Sequence, residues 1–276
     1  MLKLGINEYI SNEDYHGDRE FISSSGLKMI LNDPRKFHKE YILNEGTSSS
    51  SNNAFDFGSY VHCAILEPEL LDQDFVVFDG IQKRGKAYEE CLENNEGKTI
   101  ISRTQAAKAT QLINAFKEAT VVIGEQGHDK EVNVSSFFSG GYAEQTCTAQ
   151  IDGIKIKVRS DYRKEFEDFG SINDVKTTSD NIDNVKSAER VCAIYDYDLS
   201  AALYVDIFTM VTGKPHDFYF CFLSKNNGEC RMYKASEQML EVGRRKYKEA
   251  IEKLKKARES GVYYINRIEE INSLEK

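Results

Sequence analysis

The residue pattern predicts a mixed α/β fold with a central sheet flanked by helices. Three observations carry that expectation. Helical spacing dominates up to about residue 125, and from about residue 131 the apolar period shortens to that of strands. Four extended segments then follow one another. Beyond them helices and strands alternate, closing on a long charged helix at 236–260.

Taken in order, Phe21 to Leu31 reads as a loop running into a helix. Ser23, Ser24 and Ser25 are candidate N-caps, and Leu27, Ile30 and Leu31 form an apolar stripe. Asn32-Asp33-Pro34 breaks this helix before a second short one at 35–43. A Ser/Asn-rich run at 47–53 is flexible by composition. The next segment begins a buried helix at Gly58 or Ser59 and stops before Pro68, and further helices are expected at 84–96 and 104–118. Strands are expected at 131–138, 142–150, 154–162 and 170–175, separated by Gly140-Gly141, Asp152-Gly153 and an acidic turn at 165–168. Asp-Gly between two alternating strands is a strong hairpin signal. Helices at 183–192 and 197–212 and strands at 216–224 and 230–233 precede the last helix. With no internal repeat and no clear boundary, residues 1–276 are expected to form one domain. It would comprise an N-terminal helical region (about 1–125), a catalytic sheet core (about 131–235) and the C-terminal helix.

Composition narrows the function classes without choosing one. At 40% hydrophobic and 11% aromatic residues the chain can build a core, so disorder is not the default. No run approaches 20 apolar residues, and the polar, acidic start lacks the apolar core of a signal peptide, so an intracellular, cytoplasmic protein is expected. The six cysteines form no Cys-x-x-Cys pair, which disfavours zinc and iron–sulfur sites and suits small buried thiols. A nucleotide-binding Gly-x-x-x-x-Gly-Lys-Ser/Thr loop is absent, since Thr212-Gly-Lys-Pro does not fit it. A net charge of −9 argues against a general nucleic-acid coat but is compatible with a local basic patch beside catalytic carboxylates.

The chemistry concentrates in Val158-Arg-Ser-Asp161 and Ile172-Asn-Asp174-Val-Lys176. Each ends an apolar strand on an acidic residue, where a buried charge needs a reason. Alternation along a strand points Asp174 and Lys176 to one face, roughly 6–7 Å apart in backbone rise. If the two strands are neighbours, Asp161 lies beside Asp174, and two carboxylates meet an ammonium. Hard carboxylate oxygens suit Mg²⁺, with Mn²⁺ as a substitute, and the lysine can stabilise charge developing at phosphorus. The backbone carbonyl of Val175 could complete the metal shell. Spacing alone equally allows a surface hairpin with a salt bridge.

At these residues the chain resembles the PD-(D/E)XK nuclease superfamily, and in particular the RecE-like (exonuclease VIII-type) exonucleases of phages and prophages. The resemblance runs through Ile22-Ser-Ser-Ser-Gly-Leu-Lys28, Phe57-Gly-Ser-Tyr-Val-His62, Leu66-Glu-Pro68, Glu144-Gln-Thr, Ile151-Asp-Gly153 and Val158-Arg-Ser-Asp161. It continues through Asn173-Asp174-Val-Lys176-Thr-Thr178 and Tyr197-Asp-Leu-Ser-Ala-Ala-Leu-Tyr204. It implies a single restriction-endonuclease-like domain. It also implies that His62, read alone as a core histidine, joins Asp161, Asp174 and Val175 as a metal ligand. Glu144 would be an auxiliary carboxylate beside the catalytic Lys176, Asp161 and Asp174. Ser25 and Lys28, at a helix N-terminus, would hold a DNA phosphate. One departure stands out: relatives carry Gln in a Gln-x-x-x-Tyr helix motif where this chain has Ser200 before Tyr204, so positioning of substrate by Ser200 and Tyr204 is the weakest part of the pattern.

The resemblance further implies an Mg²⁺-dependent exonuclease that degrades the 5′-ended strand of linear duplex DNA, leaving a 3′ tail for a single-strand annealing protein in recombination. A ring-shaped homo-oligomer acting in the cytoplasm of a bacterial host goes with it. Two other readings remain open: a PD-(D/E)XK endonuclease, and a catalytically silent DNA-binding or assembly protein. In the C-terminal helix, Arg244, Arg245, Lys246 and Lys248 alternate with glutamates, which reads as a solvated face.

Overall fold

The computed structural model describes residues 2–45, 53–125 and 128–264. An edge strand β1 (Gly5–Asn7), a short helix α1 (Asn12–Gly17) and a two-residue strand β2 (Ile22–Ser23) lead directly into helix α2 (Ser24–Asn32). Of the three candidate caps, Ser23 is the one used: its hydroxyl accepts from the Gly26 N–H. Asp33 caps α3 (Pro34–Phe37), whose first position takes proline because an N–H there has no helical partner anyway. A turn of π-helix, His38–Ile42, follows.

The Ser/Asn run at 47–53 lies outside the described residues except for Asn53, which opens helix α4 (Asn53–Leu66). The helix thus starts ahead of Gly58. Its first turn turns an acidic residue inward, where the buried Asp56 carboxylate meets the Lys83 ammonium at 2.7 Å. Next come α5 (Leu71–Asp74), β3 (Phe75–Phe78), α6 (Lys86–Asn94), β4 (Thr99–Ser102), α7 (Arg103–Glu118), β5 (Thr120–Glu125) and β6 (His128–Asn133). Strands β3 and β4 pair in parallel and β5 with β6 antiparallel, two small sheets within and just beyond a region expected to be helical. The expected strand at 131–138 breaks at Asn133 into a 3-10 turn, Val134–Phe138, because the Ser136 hydroxyl donates to the Asn133 carbonyl at 2.6 Å and offers the backbone a local alternative to pairing.

The remaining elements follow the expected order: β7 (Tyr142–Ile151), β8 (Ile154–Glu165), β9 (Gly170–Thr178), α8 (Val185–Ile194), α9 (Tyr197–Thr212), β10 (His216–Ser224), β11 (Cys230–Lys234) and α10 (Glu237–Ser260). The seven-stranded sheet has the order β1-β7-β8-β9-β10-β11, with β2 added alongside β8. It is mixed: β9–β10 and β2–β8 are parallel and the other pairs antiparallel. Both faces are covered. On one, Ile154, Ile156, Ile172, Phe218, Phe220 and Phe222 pack with residues of α2, α9 and α10. On the other, Val175, Cys221 and Leu223 meet Phe57 and Val61 of α4 and Leu112 and Phe116 of α7. Among the described residues, no helix is long and apolar enough to cross a membrane.

Strand β8 changes partner along its length, and this opens the sheet. Pairing with β9 runs from Glu165–Gly170 to Tyr162–Asn173 and stops, while β2 takes up the same edge at Ile156 and Lys157. The edge of β8 from Val158 to Asp161 therefore has no strand on that side among the described residues. The alternation of faces also breaks there. Ile154, Ile156 and Val158 belong to one core, yet Tyr162, of the same parity, belongs to the other. On β7 the same reversal separates Cys147 from Ala143.

Candidate active site

The gap in the sheet is where the carboxylates collect. Asp161 falls opposite Glu144, where the β7–β8 ladder skips both, and opposite Asp174 just past the last β8–β9 pair. Where β8 and β9 part, the Asp161 carboxylate does the work of a missing ladder bond: its Oδ2 accepts from the Val175 N–H at 2.7 Å. Glu144 has a left-handed backbone (φ +46°), which accounts for the reversal of faces on β7 and brings its side chain to Asp161. From the opposite layer, α4 presents His62, whose Nδ1 lies 3.6 Å from Asp161 Oδ2. His62, Glu144 and Asp161 offer ligand atoms that all lie within 4.8 Å of one another.

Asp174 and Lys176 lie beside this trio. Asp174 is 6% exposed, and Lys176 Nζ approaches its Oδ2 to 2.6 Å. The ammonium is thus the charged partner of this buried carboxylate oxygen. Lys176 Nζ also reaches the Val175 carbonyl at 3.4 Å and lies 5.6 Å from the Tyr197 ring centroid.

Crowding sets the electrostatics. Burial, and then the charge on Asp161, push the Glu144 carboxyl up to about 8. Burial also raises Asp174, with Asp161 adding repulsion that the Lys176 ammonium opposes. Burial works against the charge on Lys176, but Asp174 and Asp161 outweigh it and hold the lysine above its ordinary range. Three clustered carboxyls of which two resist ionisation are the mark of a site that a cation completes. The carboxylate oxygens suit a hard divalent ion, with the imidazole as a borderline nitrogen donor, and His62, Glu144 and Asp161 would hold it with Asp174 adjacent.

The other expected residues surround the cluster. Lys28 donates to the Tyr195 carbonyl at 3.0 Å and sits 5.2 Å from the same Tyr197 ring. Ser25 is exposed, and its hydroxyl is 2.8 Å from that of the capping Ser23. Ser200 does not point into open space: its hydroxyl lies 2.8 Å from Ser24, tying α9 to the start of α2. Burial drives the Tyr204 phenol well above its usual range, with Tyr15, Asp174, Asp161 and Glu144 all adding to the rise, so it lies under the same field. Val175 supplies its N–H to Asp161, and its carbonyl faces Lys176.

Three groups escaped the sequence reading. Arg159, two residues before Asp161, stacks 4.1 Å from the Tyr15 ring centroid and lowers the charge cost at Glu144. Its place in the Val158–Asp161 motif was the available signal. In α10, Lys246 is not on a solvated face: it binds Asp196 and Asp198 at 2.6 and 2.9 Å. Arg244 likewise turns to Asp206 at 3.0 Å. Mixed charge along a helix does not reveal which cations find acids on a neighbouring element.

A mixed sheet covered by helices on both faces, with an Asp on one strand and Asp-x-Lys on the next at the opening of the sheet, defines a nuclease-type PD-(D/E)XK domain. The chain belongs to the family described as the PDDEXK-like domain of unknown function (DUF3799), whose model matches residues 23–271. Among solved structures, one from Eubacterium rectale whose given name proposes an exonuclease is similar in fold, with a TM-score of 0.63 over 93% of this chain and 88% of that one at 16% identity. A second, SSO0001, has a TM-score of 0.42 at 12% identity over 89% of this chain and 79% of its own, too distant to inform the site. No protein of curated function matches the sequence significantly. PD-(D/E)XK nucleases generally depend on a divalent metal, in keeping with the cluster around Asp161.

Proposed function

We propose that this protein is a divalent-metal-dependent deoxyribonuclease that degrades linear duplex DNA from its ends. The observation that carries this reading is the convergence of His62, Glu144 and Asp161 beside the Asp174–Lys176 pair. Bound there, Mg²⁺ or Mn²⁺ would polarise a phosphate oxygen and acidify a coordinated water. Lys176, kept protonated by its two aspartates, would orient the attacking water and stabilise charge on the phosphoryl oxygens. Asp174 would hold that ammonium in place. Lys28 and Ser25, at the start of α2, would contact a neighbouring phosphate.

By resemblance to RecE-like enzymes, the 5′-ended strand would be removed, leaving a 3′ tail for an annealing protein in recombination. A ring of subunits in a bacterial cytoplasm belongs to the same reading. A basic channel within an acidic exterior would reconcile DNA binding with a net charge of −9.

The test compares wild type with Asp174→Ala and Lys176→Ala on end-labelled linear duplex and on closed circles, with Mg²⁺ or Mn²⁺. Cleavage of linear DNA alone is expected, with a loss of at least about a hundredfold in both variants and folding intact. Cutting of closed circles would point to an endonuclease, and DNA binding without cleavage to a silent assembly protein. Unchanged activity in both variants would show that the site lies elsewhere.

A further inference from the structure

The proposed chemistry depends on where Lys176 holds its ammonium, and the residue beside it has so far had no task. Lys176 Nζ and Lys28 Nζ lie 5.6 and 5.2 Å from the centroid of one ring, that of Tyr197. An aromatic face attracts a cation through its quadrupole, more strongly where water is excluded. Two ammoniums drawn to one ring still repel each other. Burial and the charge on Lys176 already bring Lys28 down to about 8.

The ring itself is packed against three other aromatic rings. It stacks on Tyr195, with centroids 5.5 Å apart, and packs on Phe220 and Phe222, each at 6.3 Å. The turn that delivers it is pinned as well. Asp196, in a left-handed backbone (φ +49°), accepts from Lys246 at 2.6 Å and from Asn32 at 2.7 Å. Lys246 reaches across to Asp198 at 2.9 Å, so α10 grips the chain on both sides of Tyr197. Lys28 adds its bond to the Tyr195 carbonyl. Among the described residues none hydrogen-bonds the Tyr197 hydroxyl, so the contacts that matter are those of the ring.

We propose that Tyr197 is a positioning residue whose ring fixes the Lys176 ammonium beside Asp174. The inference rests on the nuclease reading of the site for its catalytic consequence. Its structural content, a cation held over a ring, stands apart from that reading.

The test uses the full chain with Tyr197→Phe, which keeps the ring, and Tyr197→Leu, which keeps bulk without it. In the metal-free protein carrying ¹³C-labelled lysine, the side-chain methylene protons of Lys176 and Lys28, assigned through Lys→Arg variants, should be shifted upfield by the ring. That shift should persist in Tyr197→Phe and vanish in Tyr197→Leu. On linear duplex, Tyr197→Leu should lower kcat about tenfold with KM nearly unchanged, and Tyr197→Phe should restore wild-type kcat. A purely structural role would instead lower the melting temperature or raise KM. Absence of the upfield shift in wild type overturns the proposal even if Tyr197→Leu fails to fold. Phe behaving like Leu, or unchanged kcat in a folded Tyr197→Leu, overturns it too. If wild type cleaves no DNA, the nuclease reading fails while the lysine shifts still decide what the ring does.

Discussion

At Glu144 two unfavourable features coincide: a left-handed backbone at a residue with a Cβ, and a carboxyl set against Asp161. The first costs about 1 kcal/mol or more, and nothing within the strand repays it. The second has a definite sign with pH. The folded-state carboxyl titrates near 8, above its ordinary value in an unfolded chain, so the folded protein binds more protons between the two. The penalty is absent below the unfolded value, builds as pH rises and is complete above about 8. Metal-free protein should therefore lose stability from pH 5 to pH 8. Glu144→Gln should flatten that slope, with a gain of about 1–2 kcal/mol at pH 8, or roughly 3–6 °C in melting temperature. Thermal melts in EDTA across this range check it, and parallel slopes for the two proteins would place the titration elsewhere. None of this was legible in Tyr142-Ala-Glu-Gln, which carries no Gly, Asn or Asp to announce a positive φ. Asp161, Asp174 and Lys176 were legible, because a charge that ends an apolar strand stands out against its neighbours.

Elements were legible in proportion to their length and to how local their causes are. Helix α9 and strand β10 match the expected 197–212 and 216–224, and the Asp152-Gly153 turn has positive φ at both residues, as a tight hairpin requires. The short strands β1 to β4 were missed, since two to four residues show no period and exist because of partners far along the chain. The same holds for the partner change along β8, which depends on β2 arriving from more than 130 residues away. Helix packing left one sequence trace that becomes intelligible in three dimensions. Gly243 lies mid-helix in α10, where glycine is otherwise unfavourable, and a Cβ there would overlap the backbone carbonyl of Asp198. Close approach of α10 to α9 is also what lets Lys246 reach Asp196 and Asp198. Gly243→Ala should thus destabilise the protein by about 2–3 kcal/mol, roughly 5–10 °C in melting temperature, since a backbone atom cannot rotate away. A melt within a degree or two of wild type would mean that the helices are not in contact there.

Across the whole molecule, the site joins parts that the chain builds separately. His62 comes from a helix packed in one core, while Glu144 and Asp161 sit on strands at the point where the sheet passes from that core to the other. Metal-free, this junction gathers like charges, so it is a weak point between two well-packed faces. A cation bound by all three ligands would fasten α4 to β7 and β8 and remove the repulsion together. Binding to the folded state alone stabilises by about 2.7 kcal/mol at a hundred times the dissociation constant, so Mg²⁺ or Mn²⁺ should raise the melting temperature by roughly 5–10 °C, reversibly with EDTA. His62→Ala separates this from general salt effects. Its side chain is 27% exposed and faces Asp161, so the metal-free protein should lose about 1 kcal/mol of stability, while most of the metal-induced rise should disappear. Equal rises in wild type and His62→Ala would show that the cation binds without the histidine, and that α4 is held to the sheet by packing alone.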